Sequence, residues 1–401
     1  MSNGSPSALR ILNDQAALSF LADTDVVSRS DLEGFTGLSK PAASELLLRL
    51  ETAGLVEKAG LRTGNRGPGA QLWRLRPDAG YAAAVNVTPS GLHVLISDLR
   101  GTSLATVRAP LDQREAADQI ETLLREAIEQ AGVDRVDVRH LVVGVPGAVD
   151  PRTGVVKYAP HLPGWQGYDL GARIRERTGI ETEVENDVNL MAVSETSRQA
   201  RDFSHYALVW IDEGAGAALV IDGQLFRGFS GGAGEIDYVR VANRRGTGSG
   251  DDRFGMKWGD LLGPGAIHEL AETCGLRGVD SAEKLAAAID TSPEAQRFLA
   301  EFGAEIAAGL TAIVTVLDPE LMILCGAYGA VGGERLADIV ADHLAHLVPS
   351  SEDNRTSVRC LELQPDAALL GAAEVALASA RATVFQWGSV GAGRESAVRR
   401  N

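Results

Sequence analysis

Residues 141–150 read Leu-Val-Val-Gly-Val-Pro-Gly-Ala-Val-Asp. The first five form an unbroken apolar run, the pattern of a buried strand. Gly144 and Gly147 then punctuate a turn that ends on an acid, Asp150. Downstream come Leu162-Pro-Gly-Trp165 and Val184-Glu-Asn186-Asp187-Val-Asn189, the latter where a strand gives way to a helix. Gly231-Gly-Ala-Gly234-Glu235 follows, a carboxylate on glycine-rich backbone. A carboxylate at a strand-to-helix junction can accept a hydroxyl proton, and a neighbouring amide can bind a second hydroxyl. Polyols need several such acceptors in one pocket. The bland alternative for an Asn-Asp pair at a helix start is a cap.

Strand and helix signals alternate around this stretch, which predicts an α/β domain. Upstream, Ala82–Val87, Leu92–Asp98 and Leu104–Ala109 read as a three-strand meander. A helix over Asp112–Ala131 puts Ala116, Ile120, Leu123, Leu124, Ala127 and Ile128 on one face. Downstream, Ala207–Ile211 and Ala217–Ile221 form a hairpin-like pair. A long helix over Pro293–Val316 precedes a strand at Leu321–Cys325.

The N-terminal pattern differs. Residues 1–8 are expected to be disordered. A first helix spans Arg10–Ala22, with Ile11, Ala16, Leu18 and Leu21 on its apolar side. Ser30 with Glu33 marks a capping box for a second helix that Gly37 ends. Ser39 caps a third, with Pro41 in its first turn, an apolar face of Leu46, Leu47 and Leu50, and a stop at Gly54. Two short strands follow, Leu55–Lys58 and Gln71–Leu75, around a glycine-rich loop. The order predicts a winged helix-turn-helix. Ser39, Lys40, Pro41, Ser44 and Glu45 then stand where side chains reach base edges in a major groove. Arg62, Asn65 and Arg66 stand where a wing lies along a minor groove. The bland alternative is a packed helix pair beside a solvated hairpin.

The 401 residues exceed one ordinary core. The expected division is 1–78 for the winged helix, 79–384 for a two-lobed α/β domain and 385–401 for a frayed tail. The net charge of −16 argues against a nucleic-acid partner, but it is unevenly spread. Residues 1–80 hold nine basic and nine acidic residues, so that segment nets zero. Lys58, Arg62, Arg66, Arg74 and Arg76 fall in a stretch with no acid. The three cysteines, Cys274, Cys325 and Cys360, are far apart, which suggests neither disulfides nor a cysteine zinc site. With no run of eighteen apolar residues and no signal peptide at the start, the expected location is the cytoplasm, with no membrane partner.

These motifs, in this order, resemble the ROK family (repressors, open reading frames and kinases) from about Arg10 to Arg381. Leu370-Gly371-Ala-Ala373 adds to the match. The resemblance implies an actin-like, sugar-kinase-like fold. By the family pattern Asn186, Asp187 and Glu235 would contact a sugar, and Asp187 would be the kinase base. The family's regulators also carry an N-terminal winged helix. Four departures stand out. The first phosphate loop, Asp-x-Gly-Gly-Thr in family kinases, reads Asn86-Val-Thr88-Pro89-Ser90. The second, Gly-Thr-Gly-x-Gly, reads Asp212-Glu213-Gly214-Ala-Gly216, whose carboxylates repel polyphosphate. Tyr238 stands at the family's zinc-binding His position, and residues 200–273 hold no cysteine. His161 replaces the asparagine before Leu-Pro-Gly-Trp, either as a hydroxyl contact or as filler.

The resemblance implies a transcriptional regulator with no catalytic residue, cofactor or metal. Its expected partners are double-stranded DNA and a carbohydrate effector held near His161, Asn186, Asp187, Glu235 and Tyr238. A homodimer or homotetramer is expected, because one helix-turn-helix reads only a short half-site. The competing reading is an ATP-dependent hexose kinase with an appended DNA-binding module.

Overall fold

The computed structural model describes residues 6–62, 69–159, 162, 164–198, 200–242, 255–348 and 355–386. The chain divides into two compact units. The first comprises residues 1–144, 170–184 and 372–401; the second comprises 145–169 and 185–371.

The first unit opens with α1 (Pro6–Asp23), β1 (Val27–Ser28), α2 (Arg29–Thr36), α3 (Lys40–Thr52), β2 (Val56–Arg62) and β3 (Ala70–Leu75). The three strands form an antiparallel sheet in the order β1-β3-β2. Leu18, Leu21, Leu32, Leu46, Leu47, Leu50 and Leu75 are buried. Each contributes roughly 2 kcal/mol over leaving it in water. Three helices and an antiparallel hairpin follow one another in this order.

Its start differs from expectation in two places. The first helix begins at Pro6, so residues 6–8 are helical where disorder was expected. The second is capped by Ser28, not Ser30. Val27 and Ser28 pair with Trp73 and Leu72, which holds Ser28 extended at φ −89° and ψ 163°. That is the backbone an N-cap needs. Asp31 closes the capping box, accepting from Ser28 N at 2.8 Å. Glu33 pairs instead with Arg29 at 2.9 Å, one helical turn away. Gly37 ends α2, its N–H donating to Glu33 O at 3.0 Å.

The meander follows as β4 (Tyr81–Thr88), β5 (Gly91–Asp98) and β6 (Ser103–Ala109), then α4 (Ala116–Ala131) and β7 (Val138–Val145). The α4 helix starts four residues later than expected. Gln119 turns back to bond both the N–H and the C=O of Asp112, at 2.9 and 3.1 Å, holding that segment outside the helix. After the short hairpin β8 (Ala148–Val149) and β9 (Val156–Tyr158), which belongs to the second unit, come α5 (Leu170–Thr178), β10 (Thr182–Asn186) and, again in the second unit, α6 (Asp187–Arg198). The sheet order is β10-β7-β4-β5-β6, with β4 and β7 parallel.

The second unit repeats the plan. β11 (Tyr206–Ile211), β12 (Ala215–Ile221) and β13 (Gln224–Leu225) form its antiparallel meander. β14 (Arg240–Val241), β15 (Met256–Lys257), α7 (Trp258–Leu262), α8 (Pro264–Thr273), α9 (Ala282–Ala288) and α10 (Pro293–Leu317) follow. β16 (Leu321–Cys325), α11 (Glu334–Leu347), β17 (Ser357–Cys360) and α12 (Ala367–Phe385) complete the chain's described elements. The order β13-β12-β11-β16-β17 matches the first sheet, and β11 runs parallel to β16. Two sheets with one strand plan are the duplicated architecture that the actin-like expectation required. Ala207, Val209 and Ile211 point into a core with Trp258, Phe298, Phe302 and Leu310. Tyr206 and Leu208 point the other way, onto Val188 and Ala192 of α6. Burial on both faces explains why these strands read as continuous apolar runs.

Two helices, α10 and α12, are long and apolar enough to cross a membrane by length and composition. α10 instead supplies Phe298, Phe302, Ile306 and Leu310 to the second unit's core.

Candidate functional site

The junction of β10 and α6 is built from four polar side chains. Asn186 accepts from Asn189 N at 3.0 Å through Oδ1 and donates to Gly147 O at 3.2 Å through Nδ2. It therefore caps α6 and also holds the Gly147 turn, so the cap reading holds for Asn186. Asp187 accepts from its neighbour Val188 N at 2.9 Å. Burial pushes its carboxyl up to about 7, and the nearby negative charge of Glu235 adds to the rise. Asp187 as a residue is partly buried. Glu235 is itself raised, first by burial and then by Asp237. Two carboxyls raised by burial, one of them also by the charge of the other, make this a candidate site.

The glycine run places Glu235. A Cβ on Gly231 would stand 1.8 Å from Val149 O, and one on Gly234 would stand 1.8 Å from Ala217 O. Both residues have positive φ, +79° and +95°. Ala217 N donates to Gly234 O at 2.9 Å, so the loop is pinned against β12 on one side and β8 on the other.

Sequence reasoning named no role for Glu185 or Arg227. Glu185 is buried; its Oε1 accepts from Asn186 N at 2.8 Å and Asn189 Nδ2 at 2.9 Å. Its Oε2 takes a hydrogen bond from Arg227 Nε. Arg227 O in turn accepts from Ala233 N at 3.3 Å. One ion pair thus ties the helix start to the glycine loop. The pair is 42 positions apart in the chain and leaves no local signal. Asp150 ends the 141–150 stretch in a similar fixed role. Arg152 and Lys157, at 3.0 and 2.7 Å, hold its carboxyl well below the usual carboxylate range.

Other expected positions fall differently. Tyr238 is 45% exposed, its ring 5.0 Å from Lys257 Nζ. Among the described residues no group of three His, Cys, Asp or Glu is arranged to hold a metal ion. His161 lies outside the described residues, as do Asn65 and Arg66 of the wing. Ser39, Lys40, Pro41 and Ser44 are all exposed on the first turns of α3. Ser39 occupies the cap position without making the cap hydrogen bond.

The basic stretch is less basic in space than in sequence. Lys58 pairs with Glu51 at 3.1 Å, Arg62 with Asp31 at 2.9 Å, Arg74 with Glu57 at 2.6 Å and Arg76 with Asp78 at 2.5 Å. Each acid comes from outside the run or from just past its end, so counting charges along residues 58–76 overstates the local field.

The kinase-type loops also have definite structure. Pro89 and Ser90 form the two-residue turn between Thr88 and Gly91, closed by Thr88 Oγ1 and Ser90 Oγ at 2.9 Å. In the second unit Asp212 Oδ2 accepts from Ala327 N at 3.2 Å. Burial raises the Asp212 carboxyl, and Glu213 adds repulsion. A carboxylate thus takes a backbone donor in the turn after β16.

The profile of the ROK family matches residues 83–379. The chain belongs to the ROK family. Among curated relatives, a protein named xylose repressor from Caldicellulosiruptor bescii is 23% identical over 243 residues. That match covers 59% of this chain and 61% of the relative, so this ROK chain spans about six-tenths of the relative's length. A solved ROK family transcriptional regulator, described as a homologue of the E. coli MLC protein, superposes with a TM-score of 0.72 at 18% identity. It covers 95% of this chain and 98% of that one. The ROK hexokinase of Thermus thermophilus superposes with a TM-score of 0.60 at 22% identity, covering 74% of this chain and 97% of the hexokinase. At these identities both structures establish the shared fold.

Proposed function

We propose that this ROK protein is a DNA-binding transcriptional regulator that holds a sugar or sugar-derived effector without phosphorylating it. What carries the reading is one chain with both exposed residues Ser39, Lys40, Pro41 and Ser44 at the start of α3 and two raised carboxyls, Asp187 and Glu235. The name of the xylose repressor relative supports a sugar as effector. The engaged Asp212 and the proline in the 86–90 turn support loss of phosphate binding, because each removes a backbone donor. The protein acts in the cytoplasm as a homodimer or homotetramer, bringing two recognition helices to one operator. The effector shifts DNA affinity through its preference between two conformations of the chain.

The deciding experiment is binding of the purified chain to DNA from upstream of its own gene, at two salt concentrations, across a panel of sugars. The expected result is salt-dependent binding that one sugar releases or strengthens. ATP-dependent phosphorylation of any sugar in the panel, well above a no-protein control, would overturn the reading in favour of a kinase.

The Asp187 carboxyl gives a pH prediction. An ionised carboxylate accepts from sugar hydroxyls better than a protonated one. Effector affinity should therefore rise as pH climbs through about 7. Below that point it should fall with a limiting slope of roughly tenfold per pH unit. Calorimetry between pH 5.5 and 8.5 checks this, and Asp187→Asn should flatten the profile. The same raised carboxyl makes the folded state bind more protons than the unfolded one between about pH 4 and 7. Its contribution to stability is therefore present at low pH and lost as pH rises through about 7. A wild-type affinity that does not change across this range would remove Asp187 from the effector contacts.

A further inference from the structure

We propose that Leu48 reads the sequence of the bound DNA by packing against the C5 methyl group of a thymine in the major groove. This rests on the DNA-binding reading above. Burial divides α3 cleanly: Ala43, Leu46, Leu47 and Leu50 face the core, while Lys40, Pro41, Ser44, Glu45, Leu48 and Thr52 face out. The outward face is where the second helix of a helix-turn-helix meets base edges.

The two hydroxyls on this face are turned back onto their own helix. Ser44 Oγ donates to Lys40 O at 2.9 Å, and Thr52 Oγ1 donates to Leu48 O at 2.7 Å. Glu45 lies 3.5 Å from Arg49, which also pairs with Asp14 at 2.5 Å. In the middle of these residues Leu48 is 61% exposed. A leucine can discriminate only an apolar feature. The thymine methyl is the apolar group among the base-edge features of the major groove. The wing adds to the argument, because Arg62 is bound to Asp31 and Lys58 to Glu51. With those cations neutralised, phosphate attraction supplies less of the affinity and base contacts supply more.

The test begins by selecting binding sites for the full-length wild-type chain from a random duplex library. Each thymine of the selected half-site is then replaced by deoxyuridine, which lacks only the methyl group. At one position per half-site, wild-type affinity should fall about three- to fivefold, the worth of one buried methyl. Leu48→Ala should bind the thymine and deoxyuridine duplexes equally at that position. Its melting temperature should match wild type, since the side chain is exposed. The proposal is overturned if wild type tolerates deoxyuridine everywhere, or if Leu48→Ala retains the full loss. Failure to enrich any sequence would overturn the DNA-binding reading itself, and this inference with it.

Discussion

Gly234→Ala is expected to abolish effector binding and lower the melting temperature of the second unit by about 10 °C. The added Cβ would overlap Ala217 O at 1.8 Å, and φ is +95°, where an L side chain is strained. Neither problem can be relieved by rotating a side chain, because the obstacle is backbone. The hydrogen bond from Ala217 N to Gly234 O, 2.9 Å long, holds the two segments together and leaves no slack. The loop must therefore detach from β12, at a cost of at least about 4 kcal/mol, and Glu235 moves with it. Gly214→Ala is the control. Its Cβ meets nothing within 4 Å, so the change should cost less than about 1 kcal/mol. Calorimetric unfolding and effector titration of both variants check the result. Wild-type melting and affinity in Gly234→Ala would mean the glycine run is not clamped.

What the sequence makes legible is what leaves a local trace. The meander from Tyr81 to Ala109 and the 25-residue α10 follow from apolar periodicity over long segments. The Gly231–Glu235 run is legible because closely approached backbone demands glycine at particular positions. What stayed hidden depends on partners distant in the chain. β1 is two residues long, and only its pairing with β3 makes it a strand and moves the helix cap from Ser30 to Ser28. The basic run at 58–76 looked like a DNA-binding stretch because Asp31, Glu51 and Glu57 lie outside it. Leu48 falls outside the apolar face of Leu46, Leu47 and Leu50 that the sequence predicts, but only the structure shows how far it is exposed. Asn186 was legible as both a cap and a ligand. The fold shows how it caps: its Oδ1 accepts from Asn189 N while its Nδ2 donates to Gly147 O.

Arg227→Ala should destabilise the second unit by about 3 kcal/mol, because it strands a buried carboxylate. Glu185 has a side chain only 6% exposed, whereas Arg227 is 37% exposed, so the penalty falls on the acid that remains. Water reaching the vacated arginine site offsets part of it, which places the expectation at the low end for a broken buried pair. Glu185→Gln in the same background should recover most of the loss. The carboxamide keeps an oxygen for Asn186 N and Asn189 Nδ2 but carries no charge to leave unpaired. A double-mutant cycle by denaturant unfolding measures the coupling. Effector affinity should not recover in step. The pair is the tie between the start of α6 and the loop that carries Glu235, and the double variant lacks that tie even when its stability returns. If the loss in Arg227→Ala is the same with glutamine at position 185, the destabilisation comes from packing of the arginine stem. The ion pair would then not be what aligns Asn186, Asp187 and Glu235.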